Sequence, residues 1–232
     1  MERSFAERVL QFNKGLKYTG ILPEGIRIMN PFMKPEVIAI NETFYRKYYG
    51  DPNPRKLLLG INPGRLGAGA TGIPFTDTKR LEKACHIKLV TFHTHEPSSV
   101  FVYKVIEAYG GPKRFYGDFF INSTSPLGLL TRNGKGHWVN CNYYDFPELY
   151  ASIRPFILDN LNALIGLGID TSICYVLGKK NARFMEEINR EEKLFGNLVV
   201  FDHPRYIVQY RSRQIDRYVA DYIRLLSEDK PG

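Results

Sequence analysis

Residues 57–75 read LLLGINPGRLGAGATGIPF. Three leucines ended by Gly60 form a short apolar run closed by turn chemistry, the pattern of a strand buried on both faces. Beyond it, Gly67, Gly69 and Gly72 satisfy GxGxxG, which directly after a strand would open a helix onto a dinucleotide phosphate. The context does not fit. Several residues, Pro63 among them, separate the strand from these glycines. Pro74 disfavours a helical Ile73, and no Gly-Lys-Ser or Gly-Lys-Thr follows. What remains is a strand end that places Asn62 at the sheet edge, a Pro-Gly turn, a backbone able to approach a ligand closely, and Phe75 after a second proline. This makes a flat slot. An aromatic face there stacks a planar ring for ~1–3 kcal/mol. Two plainer readings stay open: Phe75 as core, and Asn62 closing an Asx turn on its own backbone.

Working outward, further short apolar runs at 119–123, 171–177 and 197–202 join 56–60 as four strands. Helical patterns lie between them at 77–86, 98–109, 146–167 (bent or broken at Pro155) and 179–190, with 212–227 closing the chain. Ser4 with Glu7 is a capping-box pattern, and Pro35 opens a second helix that stops before Gly50, so residues 1–50 are expected to be helical. The alternation predicts an α/β fold with a four-stranded parallel sheet sandwiched between helices. Ligands bind beyond the carboxyl ends of such strands, which singles out Asn62, Asn122, Gly178 and His203.

The 232 residues suit a single domain over 1–232, with no linker or low-complexity run. No apolar run approaches a membrane span, and the first residues lack the apolar core of a secretory signal. The expected location is cytoplasmic in a bacterium or nuclear in a eukaryote, not secreted. Three cysteines without CxxC spacing argue against a disulfide framework or a zinc ribbon. Cys85, His86, His93 and His95 read as a solvated loop rather than a metal site, so no metal is expected. A net charge of +8 favours a polyanion partner.

GINPGRLGAGATGIPF, followed more than a hundred residues later by FDHPRY, resembles the single-strand-selective monofunctional uracil-DNA glycosylase (SMUG) family of the uracil-DNA glycosylase superfamily. SSVFVYKVIEAYGG, FFINSTSPLGLL and SICYVLGKKNARFMEEIN extend the similarity over roughly Leu57 to Leu226. The resemblance implies a monofunctional glycosylase that removes uracil and C5-modified uracils from DNA and uses no metal and no cofactor; a monomer is expected. Family members often continue the second motif as HPSP; here Arg205 and Tyr206 follow, which implies a reshaped wedge and a divergent subgroup.

On this resemblance Asn62 and His203 are the catalytic candidates, with Gly60, Ile61, Pro63, Gly64, Gly72, Phe75 and Asn122 forming the base pocket. Asn62 holds the attacking water. Asn122 accepts from uracil N3–H and donates to O4, polarities that cytosine reverses. His203 stabilises the charge that develops on the departing base. Gly64 stands where a more uracil-restricted branch carries a tyrosine against C5, so 5-hydroxymethyluracil is expected to fit. Pro204, Arg205, Tyr206, Ile207, Val208, Gln209, Tyr210, Arg211 and Arg213 are the candidate DNA contacts. A strand-end cap at Asn122, an ordinary loop residue at His203 and a solvated basic helix after it are the bland alternatives. A nucleoside hydrolase-like enzyme and a non-catalytic nucleic-acid-binding module also remain open.

Overall fold

A computed structural model describes residues 3–88 and 92–228. Residues 1–2, 89–91 and 229–232 lie outside it, and with them part of the N-terminal reading and the centre of HIKLVTFHTHEP.

Helix α1 (Phe5–Gly15) begins as its sequence requires. The Ser4 hydroxyl accepts from the Glu7 N–H at 3.3 Å, and the Glu7 carboxylate accepts from the Ser4 N–H at 3.0 Å. Strand β1 (Ile26–Met29), a 3₁₀ turn at Pro31–Met33 and α2 (Pro35–Tyr48) follow. The expectation of an all-helical residues 1–50 is therefore corrected. Ile26 and Ile28 alternate with the exposed Arg27, and β1 pairs antiparallel with a strand a hundred residues on.

The chain continues through β2 (Arg55–Gly60), a one-turn α3 (Ala68–Thr71), α4 (Thr78–Lys83), α5 (Pro97–Ala108), α6 (Gly111–Asp118) and β3 (Phe119–Ser123). Strands β4 (Gly128–Arg132) and β5 (Trp138–Cys141) come next, then α7 (Pro147–Ile165), β6 (Ile169–Leu177), α8 (Lys179–Glu192) and β7 (Asn197–Phe201). Helix α9 (Pro204–Tyr210), a 3₁₀ turn at Ser212–Gln214 and α10 (Ile215–Ser227) end the described chain.

The main sheet has the order β3-β2-β6-β7, and every pairing is parallel. The fold is the expected α/β sandwich. Leu57 and Leu59 of β2 and Phe120 of β3 are fully buried, which is why the strands read as continuous apolar runs rather than alternating ones. Arg55 opens β2 from inside the core. Its guanidinium donates to the Tyr116 and Asn53 carbonyls and meets Asp51 at 2.8 Å, so the buried charge is paired.

Besides the short helices α3 and α9, the elements that went unpredicted include α6 and a second sheet of order β1-β4-β5, antiparallel throughout. Helix α7 runs unbroken through Pro155 although the proline removes an internal hydrogen bond. Leu149, Ile153, Ile157, Leu161 and Leu164 are all buried along one face, and that packing outweighs the proline's cost of ~3 kcal/mol.

Candidate active site

The carboxyl ends of the parallel strands are tied together by one buried amide. Asn181, in the first turn of α8, accepts from the Thr124 hydroxyl at 3.1 Å and the Tyr143 hydroxyl at 2.8 Å. Its NH₂ lies 3.3 Å from the Leu59 carbonyl and 3.2 Å from that of Gly60. The segment after β3 is fixed to the same strand end by Thr124 N–H on Gly60 O at 2.9 Å and Ser125 N–H on Ile61 O at 3.0 Å.

Above these strand ends lies a pocket of about 380 Å³ whose wall includes Ile61, Asn62, Pro63, Gly64, Phe75 and His203. These residues come from two segments more than a hundred positions apart, joined because β2 and β7 both border β6. A larger hollow of about 590 Å³ lies by α1 and the end of α7, where Gly166 and Leu167 precede β6, at the amino ends of the strands.

Asn62 closes no local Asx turn. Its NH₂ donates to the Cys141 carbonyl at 3.1 Å, and its oxygen accepts from the Tyr143 N–H at 3.2 Å. The amide plane is thus set by the segment around the end of β5, and the oxygen keeps a second lone pair.

Phe75 adopts φ 52°, a left-handed conformation uncommon for a residue with a side chain. Its ring is 8% exposed, at the pocket wall, and centred 5.9 Å from the His203 imidazole. A Cβ on Gly60 would stand 3.0 Å from that ring, so the glycine is what lets the ring lie over the strand end. Gly60 backs Phe75 and is not itself part of the pocket wall.

His203 caps α9, its Nδ1 accepting the Arg205 N–H at 3.1 Å. That bond places the neutral ring's proton on Nε2. Burial, and then the nearby Arg205 charge, lower its pKa from 6.5 to about 4. The imidazole is therefore neutral at pH 7 and a donor through Nε2. Gly178, at φ 102°, leaves room for it: a Cβ there would stand 3.3 Å from His203 Cβ.

Asn122 and Gly72 are not on this wall but on an adjoining recess of about 10 Å³, which shares Pro63, Ala68, Pro74 and Ser123 with the pocket. The Asn122 oxygen accepts from the Ser123 N–H at 2.7 Å. Gly72 is the left-handed C-cap of α3, where a Cβ would strike Asn41 and Val37, so it is there for packing.

In the segment after His203, the expectation is corrected in part. It is a helix, not a loop, and Pro204 and Ile207 are buried as α9 packs on α5, so neither is available to a nucleic acid. Val208 packs against the core as well. Arg205, Tyr206, Gln209, Tyr210 and Arg211 form the outer face, with Arg205 and Gln209 on the pocket wall. Tyr210 is 61% exposed, the Tyr206 and Tyr210 rings are 5.6 Å apart, and the Arg211 guanidinium lies over Tyr206. Arg213 is exposed in the following 3₁₀ turn.

The wall residues that escaped the sequence reading include Glu96, Ser98, Asn140 and Asn142, together with Ala68, Pro74 and Ser123. Glu96 has an Oε2 without a hydrogen-bond partner, lodged where a Cβ of Gly67 would be. Burial and the nearby Asp77 raise its pKa to about 7, against a lowering by Arg205. Cys85 is also not in a solvated loop: its thiol is buried against the Tyr103 hydroxyl at 3.3 Å.

The family model described as "Uracil DNA glycosylase superfamily" matches residues 47–227. The chain belongs to this superfamily. No curated protein matches it. Among solved structures it is similar to wild-type SMUG2 of Pedobacter heparinus, with 46% identity, a TM-score of 0.94 and coverage of 97% of each chain. It is a SMUG-type uracil-DNA glycosylase, a hydrolase of N-glycosyl bonds in base excision repair. The readings as a nucleoside hydrolase-like enzyme or a non-catalytic binding module give way. A glycosylase needs a pocket that takes an extruded base, and the one above the strand ends has the polar groups to act on it.

Proposed function

We propose that this glycosylase is monofunctional and removes both uracil and 5-hydroxymethyluracil, with Asn62 and His203 as its catalytic residues. The observation that carries the assignment is the convergence of Asn62, Phe75 and the neutral His203 on one pocket. A base extruded from its stack at a cost of a few kcal/mol lies against Phe75. The Asn62 oxygen, its amide plane fixed on both sides, holds water under the sugar. As the bond breaks, negative charge grows on the base, and His203 Nε2–H donates to its O2 without transferring a proton. Water bonds to the anomeric carbon as the base leaves as its anion, the water's proton passes to solvent and the freed base is reprotonated there, so no amine adduct forms and the DNA backbone stays intact.

Asn122 is proposed to read the N3–H and O4 edge. Asn122 lines the recess that shares Pro63, Ala68, Pro74 and Ser123 with the pocket, and at about 10 Å³ that recess must widen for the base edge to reach it. Failure to pair with cytosine leaves polar groups buried unsatisfied, at ~1–3 kcal/mol each.

Breadth at C5 is assigned to Gly64. A Cβ there would meet only the Asn140 NH₂, at 3.4 Å, so the position is open. Oligonucleotides carrying uracil or 5-hydroxymethyluracil, incubated with enzyme and then cleaved at abasic sites with alkali, test the proposal. Wild type is expected to yield scission on both. Gly64→Tyr is expected to lose 5-hydroxymethyluracil excision far more than uracil excision at unchanged melting temperature. Equal losses contradict the C5 assignment, and scission before alkali contradicts monofunctionality.

A further inference from the structure

The small antiparallel sheet has an inner and an outer face. Leu129 and Cys141, paired across β4 and β5, are buried inward. By the two-residue alternation of strands, Arg27 of β1, Leu130 and Arg132 of β4, and Trp138 and Asn140 of β5 share the outward face. Asn140 also belongs to the wall of the catalytic pocket, and its side-chain oxygen accepts from the Arg65 N–H at 3.2 Å. The outer face therefore reaches the pocket wall at Asn140, a wall to which α9 contributes Arg205 and Gln209.

Two guanidiniums converge there on one indole. Arg27 Cζ lies 4.2 Å and Arg132 Cζ 5.0 Å from the Trp138 ring centre. Both arginines are exposed, and Trp138 is half-buried. Among the described residues no carboxylate pairs with Arg27, Arg132 or the neighbouring Arg65, although ion pairs form elsewhere on the surface. Lys135, in the β4–β5 turn, adds another exposed cation. Like charges gathered without an acid are unfavourable unless an anion joins them. Stacking engages the faces of a guanidinium and leaves its N–H edges free, an arrangement suited to bidentate phosphate contacts.

We propose that the outer face of the β1-β4-β5 sheet is a second DNA-contacting surface, where Arg27 and Arg132, held on Trp138, take phosphates of the strand leaving the pocket past Asn140. The substrate strand then crosses the enzyme from the Arg205–Arg211 face of α9, over the pocket, to this sheet. The inference rests on the glycosylase reading of the pocket.

Trp138 is the single tryptophan of the chain, so its emission reports on this face alone. A fluorescence titration of wild type with an undamaged single-stranded oligonucleotide is run beside anisotropy of the labelled strand, over a salt series. Emission is expected to change in step with anisotropy. In the Arg27→Gln/Arg132→Gln variant, checked for an unchanged melting temperature, binding is expected to be about tenfold weaker at moderate salt, with the slope of log K against log salt shallower by ~1.4, or ~0.7 for each lost phosphate. The cost to excision should fall on KM and grow with oligonucleotide length. Saturated anisotropy with constant Trp138 emission overturns the inference, as does an unaltered salt slope in the variant. If wild type excises uracil under either outcome, the glycosylase reading stands and only the second surface is lost. Absence of excision by wild type sinks both.

Discussion

At the residue scale, two pocket groups titrate away from their ordinary ranges, in opposite directions. His203 in the folded chain has a pKa of about 4 against the usual 6.5, so between these values the unfolded chain binds more protons. Its contribution to stability is complete above about pH 6.5 and is lost as pH falls toward 4. Glu96 has a pKa of about 7 against 4.5, and here the folded chain binds more protons. Stability from this group is complete below about pH 4.5 and is lost as pH rises to 7. Thermal melts across this range are expected to show a flattened acid limb for His203→Ala and a flattened neutral limb for Glu96→Gln, compared with wild type. Limbs unchanged by either substitution would contradict these assignments. His203 was legible because HP after an apolar run marks a strand end. Glu96 was not. In HTHEPSS it looks like a solvated loop acid, and only folding lays it against Gly67, a residue with no side chain to exclude it.

At the scale of elements, the site depends on how firmly β2, β3 and α8 are held to one another. Asn181 is fully buried and engages Thr124, Tyr143, Leu59 and Gly60 at once. Asn181→Leu keeps the volume and strands those partners, at roughly 1–3 kcal/mol each. Urea denaturation is expected to show a loss of at least about 2 kcal/mol. Excision should slow too, as the strand ends carrying Asn62 and Asn122 loosen. A change within ~0.5 kcal/mol would show that the amide is a bystander. The four parallel strands were readable because each carries an apolar run, buried nearly throughout in β2, β3 and the second half of β6 and only partly in the edge strand β7. The antiparallel sheet was not: β1, β4 and β5 are four or five residues long, β1 and β4 each carry an arginine, and β1 joins β4 only by pairing across about a hundred positions. Missing that sheet hid Asn140, and hid as well what orients Asn62, since both its side-chain bonds go to the backbone at Cys141 and Tyr143.

At the scale of the molecule, a net charge of +8 acquires a shape. The pocket wall takes Arg205 and Gln209 from α9 and Asn140 from the small sheet that carries Arg27 and Arg132, so on the proposed path the strand that delivers a base meets cations at both elements. The parallel sheet supplies rigid strand ends, the glycine loop brings backbone and Phe75 close, and the two catalytic candidates arrive from β2 and β7. In the proposed mechanism Asn62 acts on water in this pocket. Single-turnover release of free uracil from a single-stranded oligonucleotide, compared between wild type and Asn62→Ala, tests it most directly. Wild type is expected to release uracil, and Asn62→Ala to do so at least ~10²-fold more slowly, with DNA affinity retained and the variant still folded at the assay temperature despite the two lost side-chain bonds. A wild-type rate in Asn62→Ala would contradict it.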